Sequence, residues 1–168
     1  MSIEEGMNIE DISEALLTCK TVERRFEVIS NNIFNKGITL VDDYGHHPEE
    51  IKVTLETIDK VWKDNKKVVI FQPHRYSRTK ALFEEFVEIL SEIDDLILLD
   101  VYPASENIIK GFESDDLLKA ANKKNNIIKA NGVEDALIKL KELINDHSLI
   151  LTQGAGNTSA LAKLISEY

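Results

Sequence analysis

Within ten residues, the stretch FQPHRYSRTK (71–80) gathers His74, Arg75, Arg78 and Lys80, in a chain whose formal net charge is −10. Arg75 and Arg78 stand three apart, directly after the apolar run KVVIF. A helix beginning near Tyr76 lets both guanidinium groups turn back toward the end of that run. Guanidinium pairs with carboxylate or phosphate through two parallel hydrogen bonds. A helix N-terminus adds unpaired N–H groups and the positive end of its dipole. The chemistry that fits is the grip of a small anion. A plainer explanation is that the two arginines neutralise Glu84 and Glu85. The helix dipole opposes it, at several tenths of a kcal/mol for cations in a first turn.

Other stretches carry reactive groups. DDYGHHP (42–48) offers carboxylate, phenol and imidazole on Asp42, Asp43, Tyr44, His46 and His47. His46 and Glu50 are four apart, a spacing that could hold a metal. Adjacent histidines point in different directions, however, and no Cys or further His stands at ligand spacing. Polar contacts to a substrate are therefore expected ahead of a bound metal. The structural alternative is a turn in which Asp43 and His47 cap backbone. TQGAGNTS (152–159) carries the only G-x-G, at Gly154 and Gly156, ahead of a helix. It lacks the third glycine and the downstream acid of a dinucleotide fingerprint. It therefore reads equally as a close backbone approach to a ligand and as a tight turn. Asp100, Tyr102 and Glu106 lie in DVYPASEN, where Glu106 reads as ordinary loop surface. The chain contains no G-x-x-x-x-G-K-[ST], so a nucleotide would find only part of its site here.

The elements around these groups follow from apolar spacing. Ile9, Ile12, Leu16 and Leu17 predict a helix over about 9–18. RRFEVIS (24–30) alternates as a strand, 31–37 reads as a loop, and ITLVDDY (38–44) as a second strand. Pro48 suits the first turn of a helix, with Ile51, Leu55, Ile58 and Trp62 on one face. Apolar runs at 67–71, 96–102, 126–130 and 148–153 then alternate with helices. Those helices are marked by Leu82, Phe83, Phe86 and Leu90, by 114–122, by Val133, Leu137, Leu140 and Ile144, and by 157–165. The expected fold is α/β, a Rossmann-like and mostly parallel sheet with helices on both faces. Ligands in such sheets bind at the carboxyl ends of the strands, where all four loops above fall.

Bulk properties narrow the class. The 168 residues, 43% of them hydrophobic, suit one domain with a full core. Net negative charge argues against nucleic acid or an anionic membrane as partner. No apolar run approaches the ~20 residues that span a bilayer. The acidic start lacks the features of a signal peptide. Cys19 is the only cysteine, expected as a small core residue and compatible with a reducing cytoplasm.

RRFEV, DDYGHHPEE, FQPHRYSRT, LLDVYPASE and LTQGAGN, in that order, resemble the C-terminal domain of the Mur ligases from about Thr21 onward. The match is to the branch that joins L-alanine to UDP-N-acetylmuramate in peptidoglycan synthesis. The branch that recycles murein tripeptide ranks second. A free-standing α/β module that binds a small anion is the alternative outside the family. The resemblance implies residues 1–20 as a remnant of a central ATPase domain with its linker, and 21–168 as the amino-acid-binding domain. It implies Arg75, Arg78 and His74 at the alanine carboxylate, with Tyr44, His46, Gly154 and Ala155 lining the same pocket. Asp43 would touch the ATP ribose and Arg25 would reach the γ-phosphate. ATP and Mg²⁺ would serve the complete enzyme, and none is expected to be held tightly by this piece. ASE stands where the family pattern leads one to expect AGE, so Ser105 would restrict the loop that carries Glu106.

Overall fold

The computed structural model describes residues 24–121 and 126–168. The helix expected over 9–18, Cys19 and the domain division at residue 20 lie outside the described residues. The described strands are β1 (Glu27–Ile33), β2 (Ile38–Asp43), β3 (Lys67–Phe71), β4 (Asp95–Leu99), β5 (Asn126–Ala130) and β6 (Leu149–Gln153). The described helices are α1 (Pro48–Val61), α2 (Tyr76–Ala81), α3 (Phe83–Leu90), α4 (Ser114–Ala121), α5 (Val133–Leu143) and α6 (Thr158–Ser166).

The strands form one sheet in the order β1-β2-β6-β3-β4-β5. Only β1 runs antiparallel, against β2. The pairs β2–β6, β6–β3, β3–β4 and β4–β5 are parallel. β6 is buried along its whole length, and β3 and β4 along all but their first residues. That explains why these strands read as continuous apolar runs. Val69, Phe71, Leu96, Leu98 and Leu151 pack on one face with Ile51 and Ile58 of α1, Phe86 and Leu90 of α3, and Leu117 of α4. Val68, Ile70, Ile97 and Ile150 pack on the other with Ala136 and Leu140 of α5 and Leu161 and Ile165 of α6. Helices thus cover both faces, as the alternation of elements predicts.

Boundaries differ from the sequence expectation in several places; β4, for one, ends at Leu99 rather than at residue 102. The first strand begins at Glu27 rather than residue 24 and runs on to Ile33. Arg24 and Phe26 adopt left-handed backbone (φ 62° and 48°), which a strand does not allow. The helix after β3 also divides at Leu82 (φ −118°, ψ 27°). Hydrogen bonding runs through the division, Leu82 N–H donating to Arg78 and Phe86 N–H to Leu82. The apolar face is continuous across it, so the periodicity did not mark the break.

Phe71 and Phe86 are both fully buried, with ring centroids 5.8 Å apart. Phe86→Ala is expected to cost about 3–5 kcal/mol. Urea denaturation should show a lower midpoint with an unchanged slope.

Candidate functional site

β3 and β6 are neighbours, but their chains leave toward opposite faces. β3 continues into α2 and α3 on one side, and β6 into α6 on the other. Such a divergence opens a crevice at the carboxyl ends of the strands. The loops QPHRYSR and QGAGN form its two walls.

On the β3 side, the backbone crosses to the loop after β4. Arg75 N–H donates to the Tyr102 carbonyl and Tyr102 N–H to the Pro73 carbonyl, both at 2.8 Å. This pairing lays the His74 ring flat on Tyr102, with centroids 5.4 Å apart and planes 8° apart. Arg78 reaches back one helical turn. Its Nη1 donates to the His74 carbonyl at 3.1 Å and lies 3.3 Å from His74 Nδ1. Arg75 adopts left-handed backbone at φ 71°. Its exposed side chain forms no hydrogen bond or ion pair with the described residues. Neither arginine pairs with Glu84 or Glu85 among the described ion pairs, so neutralisation of α3 does not account for them.

The β2 loop meets this wall through its rings. His46 lies 5.6 Å from His74, and Tyr44 lies 5.3 Å from His46, edge to face. Tyr44, His46, His74 and Tyr102 therefore form one row above the sheet end. Burial comes first in holding the His74 imidazole below its ordinary pKa, followed by the charges of His46, Arg78 and Arg75, while Glu106 acts the other way.

Asp43 ends β2 and ties the loops together. Its Oδ1 accepts from Gly45 N–H (2.8 Å), Gln153 Nε2 (3.0 Å) and Thr54 Oγ1 (3.3 Å), and its Oδ2 accepts from Phe26 N–H (2.9 Å). A carboxylate has about four acceptor positions, and Oδ2 retains room for one more donor. A Cβ on Gly45 would lie 2.5 Å from Asp43 Oδ1, so only glycine fits there. His47 caps α1 and Glu50 completes the capping box by accepting from the N–H groups of His46 and His47. Burial of the Glu50 carboxyl works against its ionisation, but those donors and the neighbouring imidazoles hold its pKa below the ordinary value. The His46–Glu50 spacing thus serves a cap. Beside Asp43 opens a cleft of about 760 Å³, lined by Arg25, Phe26, Tyr44, Glu49 and Val53 among others.

On the β6 side, Gly154 has φ 135°, and a Cβ there would lie 2.7 Å from the Gln72 carbonyl oxygen. Gln72 is buried and spans the crevice floor. It donates from Nε2 to the Asp100 carbonyl (3.0 Å) and accepts at Oε1 from Asn157 N–H (2.5 Å). Ala155 follows Gly154 in the same turn. The G-x-G is thus a tight turn held against β3.

A family model, "Mur ligase, glutamate ligase domain", matches residues 24–156. The chain belongs to the Mur ligase family. It is 44% identical to the UDP-N-acetylmuramate–L-alanine ligase of Hydrogenovibrio crunogenus over 169 aligned positions, covering 97% of this chain and 36% of that protein. The chain therefore spans about a third of the length of this curated relative. The fold superposes on the UDP-N-acetylmuramate–alanine ligase of Thermotoga maritima with a TM-score of 0.71 at 24% identity, over 99% of this chain and 34% of that one. It also superposes on a murein peptide ligase of Psychrobacter arcticus with a TM-score of 0.66 at 17% identity, over 98% of this chain and 33% of that one.

Within this Mur ligase domain, the expected residues fall into two groups. Tyr44, His46, His74 and Arg78 converge on one row, with Arg75 at its edge. Arg25 and Asp43 line the neighbouring cleft, and Tyr44 borders both. Glu106 departs from the sequence expectation. Rather than loose surface, it accepts from Ser77 N–H (2.9 Å) and Ser77 Oγ (2.6 Å) and so caps α2, the helix that carries Arg78. The Ser77 hydroxyl, then its N–H and the charge of Arg75, hold the Glu106 carboxyl below its ordinary pKa. Ser105 does adopt the left-handed backbone (φ 70°) that a glycine would adopt freely. Residue-by-residue reading did not single out Arg24, Gln72 or the stacking role of Tyr102. For Arg24, the doubled arginine of RRFE was the available signal.

The depressed pKa of His74 gives a test. Its imidazole resonances should titrate with a midpoint below the ordinary ~6.5, and Arg78→Ala should move the midpoint upward. The unfolded chain binds this proton more tightly than the folded one. Stability should therefore rise with pH between the folded-state midpoint and ~6.5, and fall on acidification through that window.

Proposed function

We propose that this chain works as the amino-acid-binding, ATP-closing third domain of a cytoplasmic ligase that joins L-alanine to UDP-N-acetylmuramate in peptidoglycan precursor synthesis. One observation carries the reading. Tyr44, His46, His74, Arg75 and Arg78 meet at one sheet end, beside a cleft lined by Arg25 and Asp43. The 44% identity to an L-alanine ligase supports the alanine branch over the murein-recycling one.

In this reaction ATP phosphorylates the sugar carboxylate. The amine of alanine attacks the acyl phosphate, and phosphate leaves. Arg75 and Arg78 grip the alanine carboxylate, Arg75 supplying a guanidinium that forms no hydrogen bond or ion pair with the described residues. Burial and the nearby positive charges disfavour the charged form of His74, which limits positive charge opposite the alanine ammonium. Tyr44 or His46 orients the amine. Gly154 and Ala155 close the pocket around the methyl group. Arg25 approaches the γ-phosphate from the linker, where fixed positive charge stabilises the transferring phosphoryl group. Asp43 Oδ2 retains one acceptor position for a ribose hydroxyl. Among the described residues no group of three metal-binding side chains comes together. The Mg²⁺ that accompanies ATP would be held by the central domain, along with the P-loop. Closure of this domain over the others then shields the acyl phosphate from water. No described helix is long and apolar enough to cross a membrane.

In the full-length ligase that carries this domain, Arg75→Ala and Arg78→Ala should each raise KM for L-alanine. Losing one charged hydrogen-bonding partner costs on the order of 2–5 kcal/mol, so the rise should be about 30-fold or more. An unchanged alanine KM in both variants would refute the carboxylate assignment. The isolated chain should hydrolyse no ATP, as a phosphate-release assay would show.

A further inference from the structure

The linker presents two adjacent arginines that behave in opposite ways. Arg25 is exposed and lines the 760 Å³ cleft. Arg24 turns inward, and its side chain is only 22% exposed. Arg24 Nε donates to Asp42 Oδ2 at 2.9 Å, and Nη2 donates to the Gly154 carbonyl at 2.6 Å and to Thr158 Oγ1 at 3.0 Å. Its guanidinium carbon lies 5.1 Å from the centre of the Tyr44 ring. The acceptor Asp42 is itself fixed, because its Oδ1 accepts from Thr152 Oγ1 at 2.6 Å. One guanidinium thus binds the ends of β2 and β6, the first residue of α6 and a ring of the aromatic row.

The backbone is held as firmly. Arg24 N–H donates to Glu27 Oε2 at 2.9 Å, and the Arg24 carbonyl accepts from Tyr44 N–H at 2.7 Å. Phe26 N–H donates to Asp43 Oδ2, and the Phe26 ring lies 6.2 Å from Trp62. Arg24 and Phe26 both hold left-handed backbone, which L-residues adopt at a cost. Arg25 sits between two pinned residues, and its Cα–Cβ direction is set by them.

We propose that Arg24 is a positioning residue. It anchors the linker to the G-x-G turn and so aims Arg25 into the cleft. This rests on the reading of Arg25 as the group that meets the ATP phosphates. The anchor also joins the two halves of the site, because the carbonyl that Arg24 holds belongs to Gly154 of the amino-acid pocket.

The test is a double-mutant cycle on kcat/KM for ATP in the full-length ligase carrying this domain. Arg24→Lys retains charge but cannot reach Asp42 and Gly154 with the same fork. It should lower kcat/KM for ATP by about 10- to 100-fold, as expected when a catalytic group is misplaced. In an Arg25→Ala background the same change should cost less than about 3-fold, because the two residues act through one path. Equal losses in both backgrounds would show a general structural role and overturn the proposal. So would an undiminished Arg24→Lys enzyme in which Arg25→Ala is impaired, and that outcome leaves the reading of Arg25 intact. If Arg25→Ala alone leaves kcat/KM for ATP unchanged, the phosphate reading itself fails and the proposal falls with it. Should Arg24→Lys fail to fold, Arg24→Gln combined with Asp42→Asn removes both charges, leaves no buried carboxylate unpaired, and enters the same cycle.

Discussion

The Asp43 carboxylate lies where four segments of the chain meet. It takes hydrogen bonds from the linker at Phe26, from its own loop at Gly45, from α1 at Thr54 and from the end of β6 at Gln153. These donors are far apart in sequence, and no apolar contact would orient them. Hydrogen bonds to a carboxylate are directional, so one side chain sets the relative placement of linker, loop, helix and strand. The site depends on it because Tyr44 and His46 stand on the loop that Asp43 shapes, and Arg25 stands on the linker that it holds.

Around that hub, positive charge is concentrated and negative charge is spent on structure. Asp42 is engaged by Arg24 and Thr152, Glu50 by the cap of α1, and Glu106 by the cap of α2. Arg75, by contrast, forms no side-chain hydrogen bond or ion pair with the described residues. These carboxylates are thus oriented by their own donors and do not pair with Arg75 or Arg78. His74 stacks on Tyr102, and its burial, with the charges of His46, Arg78 and Arg75, disfavours its charged form.

The same arrangement explains why the site has two halves in one domain. The divergence of β3 and β6 to opposite faces opens the crevice. The turn at 24–26 opens the larger cleft beside it. Tyr44 borders both. The loop that carries Tyr44 is therefore shared by the crevice and the cleft.

Fold class, strand order of appearance and the chemistry of the loops were legible in the sequence. Apolar runs rich in β-branched residues at 67–71, 96–102 and 148–153 read as buried strands of a parallel sheet, and parallel strands present their following loops at one edge. The placement of His74, Arg75 and Arg78 at that edge follows from local pattern alone. Hydrogen bonds over long sequence separation were not legible. The Arg24 contacts with Asp42 and Gly154, the Gln72 clamp on Asn157, the Glu106 cap on Ser77 and the stacking of His74 on Tyr102 each join residues at least 18 positions apart. Nothing in the periodicity of either partner marks such a bond. The sequence by itself determined which faces are apolar and where charge gathers, because those depend on residue type and spacing. Tertiary structure alone decided which arginine turns inward and which carboxylates are spent, because those depend on which partners the fold brings within 3 Å.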